Sequence, residues 1–190
     1  MSIGDMRMSS WSGRSVLIWF LLANAVYLAM VLYSIPKVMA FAQGLPLFDL
    51  SPAGYTHQEA VALLEALGEQ GREAYVFPQL LLDAFYPALF ALSYGSLMLW
   101  VAARGGLKQL VWRVLGYVPF LVCAFDYGEN LSVWHMLTGF PDVSTGLTST
   151  ASGMTVIKSA LATVYFVGLL AMLVLIGWRK LSGRGGRQAA

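Results

Sequence analysis

The chain has 190 residues, of which 58% are hydrophobic and 12% charged, with a formal net charge of +2 and a mean hydropathy of +0.66. That balance lies outside the range of soluble domains and points to a bilayer. The few basic residues sit mainly at helix ends, the pattern of cytoplasmic anchoring, which excludes a nucleic-acid surface. At about 20 apolar residues per span there is room for about four spans, so the expected fold class is an all-α polytopic membrane protein, a four-transmembrane-helix bundle. The single cysteine, Cys123, falls inside an expected span and has no intramolecular partner.

A polar segment over 1–14, with Arg7 and Arg14, precedes an apolar run that predicts a first span at about 15–37. Ala40-Phe41-Ala42 resembles a signal-peptidase site, but the apolar run exceeds the ~7–15 residues of a signal h-region, so an uncleaved anchor is expected. Asn24 lies in mid-span and is expected to bond a neighbouring helix, because hydrocarbon offers it no partner. Gly44, Pro46, Pro52 and Gly54 punctuate the turn that follows.

Thr56-His57-Gln58-Glu59 matches a capping box, and Ala60, Leu63, Leu64 and Leu67 recur on one helical face. These residues predict a short amphipathic extracytoplasmic helix between the first two spans. Its charges, Glu59, Glu65 and Glu69, are acidic, so attraction to anionic lipid does not hold it down, and packing on the bundle as a cap is the expectation. Gly68-Glu69-Gln70-Gly71-Arg72 ends that helix and leads to a second span at about 76–103. Within it Pro87 cannot donate to the carbonyl of Asp83, which leaves a free acceptor beside the Asp83 carboxylate. Ala84, Ala88, Ala91 and Gly95 form a stripe of small residues suited to close helix packing.

Arg104 to Lys108 makes a basic connection to a third span at about 110–137. The Gly-, Ser- and Thr-containing segment 138–153 reads as a loop, with Ser152 as N-cap of a fourth span at about 154–178. Residues 15–181 thus form a single transmembrane domain, and 182–190, with Arg184 and Arg187, a flexible cytoplasmic tail. The distribution of Arg and Lys predicts both termini in the cytoplasm, with the bacterial inner (plasma) membrane as the location.

Phe125-Asp126-Tyr127-Gly128-Glu129-Asn130 places ionisable groups inside the third span, where they are costly and mark a functional site by default. Asp126, Glu129 and Asn130 are spaced i, i+3 and i+4 and share one face. Asp126 lies about 20 Å along the helix from Arg113, inside the hydrocarbon, while Glu129 nears its edge. The topology sets Asp83, Asp126, Glu129, Asn130 and Lys158 in the outer leaflet, with Arg72 entering from the same side. Asp126 and Glu129 are the candidate acid/base pair. Asp83, Tyr86, Asn130, Lys158, Arg72 and Tyr127 are the candidate ligand-binding residues.

Three readings fit these residues. In one they form an outer-leaflet pocket that binds, and acts on, a small amphipathic or lipid-like molecule. In another they couple a proton or cation to binding, or dock a membrane protein partner in an accessory or assembly subunit. In the last they form a structural ion-pair network that fixes helix register. The carboxylates and Asn130 offer a hard oxygen set of the kind magnesium or calcium takes, whereas zinc and haem want histidines, and only His57 and His135 exist. His135 lies about half a turn away from Asp126 around the helix and is expected to face away from it. The partners expected are membrane lipid, the amphipathic ligand itself and, on the accessory-subunit reading, a membrane protein.

Overall fold

The computed structural model describes residues 11–185. Arg7, Arg187 and the side chain of Arg184, all used above to orient the chain, lie outside the described residues, as does the tail beyond Gly185. Among the described residues there is no strand, and four helices are long and apolar enough to cross a membrane. They build an integral membrane bundle of the expected class.

Helix α1 spans Gly13–Met39. Ser12 caps it by accepting from the Ser15 amide at 3.1 Å. Pro36 lacks the amide that Leu32 would otherwise receive, and just ahead of it the helix widens into a π turn at Met30–Ser34. Asn24 donates to the Phe20 carbonyl at 2.7 Å within its own helix, and its side chain also meets the Tyr94 hydroxyl of a neighbouring helix.

The chain then folds back over the end of the bundle through a 3-10 turn at Phe48–Leu50. Leu47 and Phe48 are buried there and pin the loop down. Helix α2, His57–Ala74, opens with the expected capping box: Thr56 accepts from the Glu59 amide, and Glu59 accepts from the Thr56 amide. Its apolar face, Ala60, Leu63, Leu64 and Leu67, is buried with Val38, Leu47, Phe48, Val133 and Met136. The amphipathic helix is therefore a cap on the bundle. It breaks at Gly68, whose φ of +58° suits glycine best.

A π turn over Tyr75–Leu80, containing Pro78, joins α2 to α3, Leu81–Arg104. Helix α4 spans Leu110–Gly139 and α5 Thr145–Gly185. Each long helix packs on the next, α1 on α3, α3 on α4 and α4 on α5. The small-residue stripe serves this packing at Gly95, where a Cβ would come within 3.0 Å of the Gly116 carbonyl and 2.9 Å of the Phe120 ring. The outward faces of α1 and α5, including Leu17, Leu21, Leu32, Val167, Leu170 and Val174, are exposed and apolar, as lipid contact requires.

The fourth span begins earlier than expected. Residues 145–153 are helical, and Ser144, not Ser152, accepts from a first-turn amide, that of Leu147 at 3.1 Å. The Ser- and Thr-rich sequence misled because Thr148, Thr150 and Thr155 bond back to the carbonyls of Ser144, Gly146 and Ala151, satisfying their hydroxyls inside the helix. At the other end the helix continues past 178 to Gly185, so the first residues of the expected tail are helical too.

Candidate functional site

The polar end of the bundle is the one that α2 covers, where α1 ends, α3 begins, α4 ends and α5 begins. Its centre is Lys158. The Lys158 Nζ lies 2.7 Å from Asp126 Oδ1, 2.5 Å from Glu129 Oε2 and 3.9 Å from Asp49 Oδ1. The ammonium is in close contact with Asp126 and Glu129, while Asp49 stands beyond hydrogen-bond distance and adds its charge to the group.

Each carboxylate reaches the lysine for a local reason. Asp126 and Glu129 are three residues apart on the buried face of α4. Gly128 between them lets α5 come close: a Cβ there would meet the Met154 sulfur at 2.6 Å, one turn before Lys158. Thr155, on the same face of α5, donates to Glu129 Oε1 at 2.7 Å. Asp49 arrives on the loop, held by the buried Phe48 and by Tyr75, whose hydroxyl donates to Asp49 Oδ2 at 2.9 Å. Glu129 is wholly enclosed while Asp126 keeps a 7% exposure, the reverse of the ranking by depth along the helix. The loop and α2 roof over Glu129, so membrane depth and burial in protein part company here.

Tyr55 stands at the edge of this roof. Its backbone amide donates to the Ser152 hydroxyl at 2.8 Å, tying the loop to α5. Burial pushes the Tyr55 hydroxyl above the ordinary tyrosine range, and the nearby Glu129 charge pushes it further.

Asp83 is buried in the first turn of α3, and the acceptor that Pro87 frees is used: Asn130 Nδ2 donates to the Asp83 carbonyl at 3.2 Å. One residue along, the Tyr127 hydroxyl donates to the Ala84 carbonyl at 3.0 Å. Two side chains of α4 thus bond to the backbone of α3 one turn before Pro87. Four residues before Asp83, Gln79 is fully buried and accepts from Ser34 at 2.5 Å, which extends the buried polar groups to the π turn of α1. The Asn130 Oδ1 and Gln79 Nε2 atoms have no hydrogen-bond partner among the described residues.

Of the expected site residues, then, Asp126, Glu129 and Lys158 meet directly, and Asp83 and Asn130 join through a backbone carbonyl. Tyr86 stacks on Tyr27, with ring centroids 5.7 Å apart, and Tyr127 is exposed apart from its bond to α3. Arg72 belongs to a different feature. The break at Gly68 leaves the last carbonyls of the first half of α2 without amides. Arg72 Nη1 donates to the Leu64 carbonyl at 3.0 Å and Gln43 to that of Ala66 at 3.4 Å. The Arg72 guanidinium also lies 4.7 Å from the centre of the Phe140 ring. There it lines a cavity of about 480 Å³ with Glu69, Glu73, Val76, Phe77, Leu137, Thr138 and Phe140. His135 is exposed beside Trp134.

Sequence reasoning missed Asp49, Thr155 and the Ser34–Gln79 pair. Asp49 carried a signal: a lone carboxylate among Leu47, Phe48 and Leu50, residues that seek burial and carry it inward. Gln79 also carried one, since it sits four residues before Asp83 and so on the same face. Among the described residues no group of three or more His, Cys, Asp or Glu is arranged to hold a metal ion. The carboxylates converge instead on the ammonium of Lys158.

No protein-family model matches the chain, and no curated protein or solved structure does either.

Proposed function

We propose that this integral membrane protein binds a small amphipathic, lipid-like molecule at its α2-covered end. The observation that carries the reading is the cavity of about 480 Å³, whose lining passes from Glu69, Arg72 and Glu73 to Val76, Phe77, Leu137 and Phe140. Its size falls in the ~300–1,000 Å³ range of small-molecule sites. A lining that combines charged and apolar residues at the end of a membrane bundle matches a molecule with a polar head and an apolar body. The positive-inside distribution supports the proposal that both termini are cytoplasmic and that this end faces the outer leaflet, in a bacterial inner membrane on the same reading.

In this reading Asp126, Glu129 and Lys158 anchor the helices that frame the cavity. A photoactivatable lipid carried in the membrane, cross-linked and mapped by peptide, tests it. Labelling centred on Val76–Phe77 and Leu137–Phe140 is expected. Labelling spread evenly along the lipid faces of α1 and α5 overturns it.

A second reading, an accessory or assembly subunit without a ligand, draws support from the closed contact of Lys158 with Asp126 at 2.7 Å. A buried pair so engaged fixes the register of α5 on α4 whether or not anything binds nearby. Co-purification of a stoichiometric membrane partner, lost on disruption of the exposed face of α5, separates it from the first.

A further inference from the structure

We infer that the cavity between α2 and the end of α4 is built for a zwitterionic phospholipid headgroup bearing a phosphate and a primary ammonium. The inference rests on the ligand-binding reading above and names the class of ligand for that same site.

The charges are arranged for it. Glu69 and Glu73 are spaced i, i+4 after the break at Gly68, both are exposed, and both line the cavity. Among the described residues neither forms an ion pair, although Arg72 stands between them in sequence. Arg72 is instead turned toward the Leu64 carbonyl and the Phe140 ring. A guanidinium has five N–H donors, so the bond to Leu64 leaves others for an anion. The same cavity therefore offers a fixed cation and two unpaired carboxylates.

Arginine and phosphate pair through parallel N–H bonds, and carboxylates accept N–H bonds from an ammonium. A quaternary ammonium has no N–H to give, and the Phe140 ring that would attract it is already covered by Arg72. A purely anionic headgroup would meet two like charges. The apolar part of the lining completes the match, for it includes the buried Leu137 and the 65% exposed Phe77, surface that an acyl chain can cover. A second cavity, of about 300 Å³, shares Glu73 and Phe77 with the first and is also lined by Lys37, Phe41 and Gln70, so a second cation lines the neighbouring space.

The test is native mass spectrometry of the delipidated full chain titrated with phosphatidylethanolamine, phosphatidylglycerol and phosphatidylcholine of identical acyl chains. Phosphatidylethanolamine is expected to be retained about tenfold more tightly than either other lipid, the worth of one charge-assisted bond. Glu69→Gln and Glu73→Gln, at exposed positions that leave the fold alone, are expected to remove that preference. Arg72→Lys is expected to weaken all three lipids together. A preference for phosphatidylglycerol or phosphatidylcholine, or a preference for phosphatidylethanolamine that survives both glutamate substitutions, overturns the headgroup assignment and leaves the ligand site standing. Retention of none of the lipids overturns both.

Discussion

The Asn130 carboxamide donates to the Asp83 carbonyl at 3.2 Å, and that carbonyl is the one Pro87, four residues on, cannot serve. A defect in one helix and a polar side chain on the next are thus two halves of one contact. Asn130→Leu is expected to destabilise the bundle by about 1 kcal/mol, the scale of intramembrane hydrogen bonds. In a Pro87→Ala background the alanine amide fills the carbonyl, and the same substitution is expected to cost much less. A double-mutant cycle of unfolding in detergent measures the difference, and equal costs in both backgrounds would show that the two residues act independently.

Lys158 is the single ammonium among Asp126, Glu129 and Asp49. Lys158→Met leaves buried carboxylates without their cation and is expected to cost about 3–5 kcal/mol. Adding Asp126→Asn and Glu129→Gln to Lys158→Met is expected to restore much of the loss, because neutral partners no longer need it. Thermal unfolding of the single and triple variants reads this. If the triple variant is less stable than Lys158→Met alone, the cluster does something other than balance charge.

Gly128 sets how near α5 comes to α4. Gly128→Leu is expected to displace Met154 and draw Lys158 away from Asp126 and Glu129, with a loss of at least the ~1–3 kcal/mol typical of overpacking. Gly139→Leu, where a Cβ would meet nothing, serves as the control. Disulfide trapping between cysteines placed on α4 and α5 would report the separation.

Tyr55 supplies a pH dependence of known sign. Its hydroxyl is held above the ordinary tyrosine range by burial, then by Glu129. The folded protein therefore binds this proton more tightly than the unfolded chain does. The stability it contributes is complete below the unfolded value of about 10 and is lost as pH rises beyond it. Tyr55→Phe has no proton to lose, so its stability is expected to fall less steeply than that of the parent above about pH 10. Parallel curves for the two proteins throughout the alkaline range would remove Tyr55 from the account.

Much of this was legible in the chain. The helical spacing of Asp126, Glu129 and Asn130 placed them on one face, and topology alone brought Lys158 to the same end. The capping box at Thr56 and the apolar face of α2 also read directly. What failed to read depends on contacts distant in sequence or on local competition between bonds. Asp49 reaches Lys158 only because Phe48 and Tyr75 fix the path of a loop, which no periodicity encodes. Residues 145–153 look like a loop because Ser and Thr compete with helix formation, and here they bond back into it. Arg72 was expected among the carboxylates of α4, and the break at Gly68 turns it instead to the Leu64 carbonyl and to the neighbouring cavity.

The most direct test is an experimental structure of the protein in a lipid bilayer, at a resolution that shows what occupies its α2-covered end. A closed contact of Lys158 with Asp126 and Glu129 is expected, with lipid headgroup density beside Arg72 and Glu73 and its chains along Phe77 and Leu137. An empty cavity at Arg72, with the ligand lodged against Asp126 and Glu129 and Lys158 drawn aside, would contradict it.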